Sequence, residues 1–327
     1  MGTVVIKTEG VIEMIKQSLV GAVAIIALAS AAQGADLQPV LKAPGAVEQQ
    51  ATGYVEVYSG WASTKASNFD DSFRLDGWAL GGAGRANYWV TREVSVQVDA
   101  QAEGTSYDVG GGGGHFSSHS YLIGGHWSWR NPQQYLFGLF AAAGDSGSIA
   151  GFTNNSQRHG LIGAEAQWYW HQFTLYAQGG YDSTLGSPSD FFDSINAWFI
   201  RGTGRYFINP NFLLEGTVMY ANGNIDLNGD PSVGFRTLTW GVKGEWRFPT
   251  APFSVFAKYQ GSETRYDDSL ALGTSNAKVT DNRVLLGLKL HMGDRTLQQT
   301  DRAGATLDIQ SPLANPTSPL MFGPQRD

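Results

Sequence analysis

The side chains able to do chemistry in this sequence recur at every second position of short apolar-polar runs. In VSVQVDAQAE, Glu93, Asp99 and Glu103 fall opposite Val94, Val96, Val98, Ala100 and Ala102. In TLTWGVKGEWRF, Lys243, Glu245 and Arg247 oppose Val242, Gly244, Trp246 and Phe248. The same parity collects Arg130, Glu165, Arg201, Arg205, Glu215 and Lys258, with Glu56, Arg85, His126, Asp182, Arg283 and Lys289, on one face. Acids gather in the first, third, sixth and seventh runs and bases in the eighth and the tenth to twelfth. Ionic groups this numerous cannot stand dry and unpaired. Either they line water and sort small polar solutes by size and dipole, or they pair off into a salt-bridge network that fills the space between them.

Catalytic readings are weaker. His126 and Ser128 share a face, but two residues of strand separate them by about 7 Å, too far for direct proton transfer. His159 lies near Ser156 at a loop boundary, where an ordinary rim histidine is the plainer reading. His115 and His119 lack an anchored carboxylate, so no metal site is expected. Gly110 to Gly114 precede no helix that would complete a phosphate cradle, and no cofactor is expected. No catalytic residue is assigned.

Alternation of this kind requires strands, because side chains reverse at each residue of an extended chain. Twelve such runs lie between Thr52 and Met292, with short connections near residues 92, 132, 171, 210 and 250. Longer polar, Gly-rich links fall at 63–76, 108–117, 145–156, 184–194, 223–233 and 266–280. The expected fold class is all-β: a single transmembrane antiparallel β-barrel of about twelve strands, with the short turns and both termini periplasmic. Hydrocarbon offers no hydrogen bond to a free edge, so the last strand should pair with the first. Tyr88, Trp127, Trp129, Tyr135, Phe137, Trp168, Trp170, Phe173, Tyr206, Phe212, Trp246, Phe248 and Phe253 fall beside short turns on the outward parity, as an interfacial girdle would.

Composition agrees. The chain has 327 residues, 42 Gly, 10 Trp, 13 Tyr and 17 Phe, no Cys, and a formal net charge of −7. Disordered chains are poor in aromatics. The acidic balance gives no footprint for nucleic acid, and the lack of Cys removes disulfide and thiolate chemistry.

Residues 1–34 read as a signal peptide, with Met14 an alternative start: a lysine, an apolar run from Leu19 to Ala29, then small residues up to Gly34. Residues 35–51 read as a periplasmic lead and 52–292 as the outer-membrane barrel. Residues 293–327 read as a Pro-rich periplasmic tail, plainly a disordered extension, with contact to peptidoglycan or a plug in the periplasmic mouth as alternatives.

The mature start carried by Ala35, Asp36, Leu37, Lys42, Ala43 and Pro44, together with glycine-spaced aromatic strands over 52–292, resembles the porin-like outer-membrane β-barrel proteins of alphaproteobacteria, the 25 and 31 kilodalton surface antigen type. The resemblance implies an outer-membrane, envelope or porin-like role without a defined catalytic site. Smaller members carry fewer strands than are counted here, and the usual terminal aromatic of the last strand is absent from the chain end. Recognition by the barrel assembly machinery would then use a signal near strand 12, or Phe322.

The expected function is a porin-like channel for passive diffusion of small polar solutes or ions in the outer membrane of a Gram-negative bacterium. A structural envelope barrel with a closed, salt-bridged lumen is the alternative, and a lipid-modifying enzyme the minor one. The expected partners are outer-membrane lipids, lipopolysaccharide, the assembly machinery and a homo-oligomer; Asp267 and Asp268 read as an ordinary solvated loop, with attraction of calcium or lipopolysaccharide-bound cations as the alternative.

Overall fold

A computed structural model describes residues 51–67, 73–108, 115–147, 157–186, 192–229, 231–267, 277–315 and 317. The expected signal peptide, nearly all of the expected lead, Gly110 to Gly114, Ser156, Asp268 and Phe322 lie outside them.

Among the described residues twelve strands form: β1 (Ala51–Ser67), β2 (Phe73–Trp89), β3 (Val94–Asp108), β4 (His115–Asn131), β5 (Tyr135–Ser146), β6 (Gln157–Trp170), β7 (Phe173–Thr184), β8 (Phe192–Asn209), β9 (Phe212–Leu227), β10 (Val233–Arg247), β11 (Phe253–Tyr266) and β12 (Lys278–Met292). Each pairs antiparallel with its sequence neighbours, and β12 pairs with β1 from Gly53↔Met292 to Ser67↔Lys278, closing the barrel. Both ends of the wall therefore lie at the short-turn rim.

Side-chain chemistry sets the tight turns. Thr91 Oγ1 accepts from the amides of Glu93 (3.2 Å) and Val94 (3.0 Å). Asn131 Oδ1 accepts from Gln133 N and Asn209 Oδ1 from Asn211 N, the local bonds for which Asn is favoured in turns. His171 takes a left-handed φ of 50° in the two-residue link between β6 and β7.

The two faces of the wall differ as the parity requires. Ile162, Leu175 and Leu286 are about two-thirds exposed on the outside, while Asp182, His159, Glu245 and Arg130 are almost wholly buried inside. An outer surface this apolar is suited to hydrocarbon and to no aqueous phase. Beside the short turns the aromatic rings stack in groups, Trp129 with Tyr135 and Phe137, and Phe173 with Trp170 and Tyr206. Inside, Phe256 of β11 lies over its cross-strand partner Gly287, where a Cβ would strike the ring.

After β12 the chain turns at Gly293 (φ 95°), forms the short helix α1 (Leu297–Ala303), and then enters the barrel. Thr296 caps α1 by accepting from Gln299 N at 3.0 Å. Ala305, Leu307, Ile309 and Leu313 are all buried against the inner wall. This differs from the expected extramembrane tail: the closed wall has no free edge for the segment to pair with, yet alternation of Ala305, Leu307 and Ile309 with Thr306, Asp308 and Gln310 gives an extended segment with one apolar edge.

Candidate functional site

The interior holds two interlocked parts, a charged wall and the C-terminal segment that crosses it. On the wall, register places opposite charges side by side: Arg205↔Glu215 and Glu215↔Lys243 are direct cross-strand pairs. Glu215 accepts from Arg205 at 2.8 Å and lies 3.6 Å from Lys243. Glu245 lies 3.0 Å from Lys289 and 3.4 Å from Lys243, and accepts a hydrogen bond from Ser254. Lys289 also reaches Glu56 at 3.2 Å. Across the barrel His126 joins Asp99 (3.2 Å) to Glu165 (2.7 Å), and Glu103 pairs with Arg283. The expected separation into an acidic wall and a basic wall is thus interrupted by local pairs.

The C-terminal segment supplies further partners. At the short-turn rim Arg247 donates to the Asp294 carbonyl (2.5 Å), Arg130 to the Gly304 carbonyl (2.9 Å) and the Trp89 indole to the Ala303 carbonyl (2.8 Å). Arg205 and Thr174 hold the two oxygens of Asp301. Deeper, Gln97 donates to and accepts from the backbone of Leu307, as a strand neighbour would. Arg201 grips Asp308 with both terminal nitrogens, Nη1 to Oδ2 at 2.8 Å and Nη2 to Oδ1 at 2.5 Å, a bidentate fork. Toward the long-connection rim Ser311 donates to Asp182, Asn315 bonds Thr239 and Ser262, and Thr317 meets Thr264 (2.8 Å) and Tyr266 (2.7 Å). Leu307 packs with Leu136, Tyr169 and Tyr176, Ile309 with Leu122, Phe140 and Phe199, and Leu313 with Ile195, Phe235 and Val279. The segment runs from one rim to the other.

Burial lifts the Asp294 carboxyl to about 6, and Thr300, Arg247, Arg130 and Thr52 offset only part of that rise.

Between Gly304 and Gln310 the segment bonds to β3, β4 and β6–β8, and a cavity of about 240 Å³ remains beside it, lined by Arg85, Lys243, Lys258, Glu56, Glu215 and Asp308 among others. Lys243 and Lys258 face each other directly in the register. Among the described residues no carboxylate lies within 4 Å of Lys258 Nζ, and Arg85 reaches Asp99 only at 3.8 Å.

Of the twelve residues assigned to the lumen from sequence, Asp99, Glu103, Arg130, Glu165, Arg201, Arg205, Glu215, Lys243, Glu245, Arg247 and Lys258 lie on inward positions. Glu93 does not. Thr91 ties up the Glu93 amide in the turn, β3 begins one residue later, and the Glu93 carboxylate swings outward to accept from the Trp129 indole at 2.9 Å. Parity fails where the strand has not yet begun.

Sequence reasoning missed Asp301, Asp308, Ser311 and Asn315, because their segment was assigned to the outside. It also read His159 as an ordinary rim histidine near Ser156. In the fold His159 Nδ1 lies 2.9 Å from Asp182 and Nε2 lies 3.5 Å from Ser146 Oγ. This hydroxyl, imidazole and carboxylate series is wholly buried and ends on Ser311, so it anchors the segment.

The fold and its inside-out polarity define a closed, twelve-stranded transmembrane β-barrel whose lumen holds its own C-terminal segment. Among solved structures the chain is similar to an outer-membrane channel from Pseudomonas putida F1, at 13% identity and TM-score 0.52, covering 78% of this chain and 100% of that one. It is more distantly similar to the translocator domain of the autotransporter NalP from Neisseria meningitidis, at 9% identity and TM-score 0.41, over 85% of this chain and 98% of that one. Another such structure is the outer-membrane protease OmpT of Escherichia coli, at 13% identity and TM-score 0.33, over 74% and 97%. No family model matches the chain, and no curated protein does. Identities this low speak for the fold alone.

Proposed function

We propose that this protein is an outer-membrane channel for passive diffusion of small polar solutes or ions, held shut by its own C-terminal segment and opened when that segment withdraws. The observation that carries the reading is the charged cavity of about 240 Å³ that persists beside the inserted segment. A barrel built only as a solid structural element would neutralise and fill that space, since unpaired buried charge is costly. Here Lys258 and Arg85 line it instead. The segment also has no place in the backbone ladder of the wall, so its departure leaves every strand pair intact.

A lock tests this directly. The chain has no Cys, so Thr264→Cys with Thr317→Cys introduces a single thiol pair where two hydroxyl oxygens now lie 2.8 Å apart. In planar bilayers the oxidised pair is expected to be silent and the reduced pair to show ion-conducting steps. Equal silence from both, with the barrel demonstrably inserted, would favour the structural reading. Steps of equal size and frequency from both would remove the segment as the gate.

A further inference from the structure

The bond between Arg201 and Asp308 joins two planar groups in register, one fixed to the wall and one carried by a removable chain. Arg85, Arg205 and Lys258 line the same cavity as this carboxylate. Four cations from β2, β8 and β11 therefore share one cavity with that carboxylate, of which only Arg201 is paired with it directly. The wall alone carries an excess of positive charge here: Glu215 is shared between Arg205 and Lys243, and Lys258 has no carboxylate within 4 Å among the described residues. Like charges placed directly opposite, as Lys243 and Lys258 are, are destabilising unless an anion lies between or beside them.

We propose that this cluster is a carboxylate-binding site of the lumen, that Asp308 occupies it as a built-in ligand, and that the solute the channel passes is a small organic dicarboxylate which displaces Asp308. The proposal rests on the channel reading and names its substrate class. Carboxylate is favoured over a spherical anion because the two terminal nitrogens of Arg201 each meet a separate oxygen, a match of planar fork to planar acceptor. Two carboxylates are favoured over one for a thermodynamic reason. Asp308 is tethered, so its effective concentration at the site is of millimolar order, and a solute making only the same bond competes poorly. A solute with a second carboxylate gains Lys258 or Arg85 in addition, which the single carboxylate of Asp308 does not engage while forked on Arg201. The cavity beside the site lies just below the ~300–1,000 Å³ typical of drug-sized ligands, suiting a small solute.

The experiment uses the full chain carrying Ala305→Cys, a buried position on the segment and otherwise thiol-free. Its rate of maleimide labelling reports withdrawal of the segment without requiring conduction. Succinate is expected to accelerate labelling several-fold and saturably, propionate less, and chloride or inorganic phosphate at equal ionic strength hardly at all. Adding Asp308→Asn should raise the rate without solute, and adding Arg85→Gln together with Lys258→Gln should abolish the advantage of succinate over propionate. Labelling that is indifferent to succinate overturns the site even if the protein conducts, and phosphate acting as well as succinate overturns the assignment to carboxylates. A response to succinate in a protein that never conducts keeps the site and removes the channel reading, so the two failures are distinguishable.

Discussion

The wall and the segment inside it are held by different kinds of bond. Every strand of the wall is paired on both sides through its backbone, because amides facing hydrocarbon find no other partner. The segment from Gly304 to Thr317 is held mainly by side chains: Arg201 on Asp308, Gln97 on Leu307, Tyr266 on Thr317, and three small apolar contacts. Backbone bonds in lipid have no aqueous substitute, whereas side chains in a polar lumen exchange a partner for water at small net cost. The wall is therefore obligatory, and the gate proposed above needs a segment held in this other way.

Substitutions on the two regions should therefore separate. Arg201→Gln leaves Asp308 without its fork. Removal of one partner from a buried pair costs 3–5 kcal/mol, and because the Asp308 side chain keeps 26% of its exposure, about 3 kcal/mol is the better expectation. That is roughly a hundredfold gain in withdrawn segment. Limited proteolysis should clip the segment while the barrel keeps its heat-modifiable mobility in detergent gels. If wall and segment fail together, the division is wrong. The converse probe is Ile162→Arg, which places a charge on an outer position 66% exposed. A lipid-facing Arg costs about 2–4 kcal/mol at mid-bilayer. Urea unfolding in liposomes should show that loss, with the protease sensitivity of the segment in the still-folded fraction unchanged.

The same contrast explains what was legible in the sequence. Wall strands announce themselves because their two faces meet different solvents, and Gln157–Trp170, as an example, is delimited by alternation alone. Legibility fades at the long-connection rim, where β1, β2 and β12 run several residues beyond the apolar runs. There Arg74 pairs with Asp76 and Glu263 with Arg265 and Lys278 at the surface, so both faces turn polar while the ladder continues. Glu93 was misplaced because turn chemistry, not parity, controls its side chain. The segment was illegible for a different reason: its partners lie from 51 to 210 residues away in the chain, and proline content signals only the absence of regular structure. The alternation of Ala305, Leu307 and Ile309 was the available cue.

A smaller effect sharpens the comparison through pH. Docking holds the Asp294 carboxyl at about 6, against about 4 when free, so the docked form binds the extra proton. Docking is then strongest below pH 4, weakens between 4 and 6, and stays weakened above 6, by at most about 3 kcal/mol. Asp301 and Asp308 keep guanidinium partners in Arg205 and Arg201. The labelling rate at Ala305→Cys, divided at each pH by the rate of the same reagent with a fully exposed cysteine, should be higher at pH 7 than at pH 4.5, and Asp294→Asn should abolish the difference. A rate rising toward acid would refute the assignment.

The smallest expected effect asks whether the segment leaves as one piece. Thr296→Ala removes the cap of a helix of seven residues, at a cost of about 1 kcal/mol. Such a helix has little stability of its own, and α1 is fixed at the rim by Gln298, which bonds the carbonyls of Pro210 and His171. The Leu307 amide, by contrast, is held by Gln97 one bond deeper than the Arg130 contact at Gly304. If withdrawal begins at the rim, hydrogen exchange in α1 should quicken about fivefold while the Leu307 amide keeps its protection, because the fork on Asp308 still holds the chain beyond it. If both amides exchange faster by the same factor, the segment opens as a single cooperative unit, and α1 contributes to keeping the lumen shut as fully as Arg201 does.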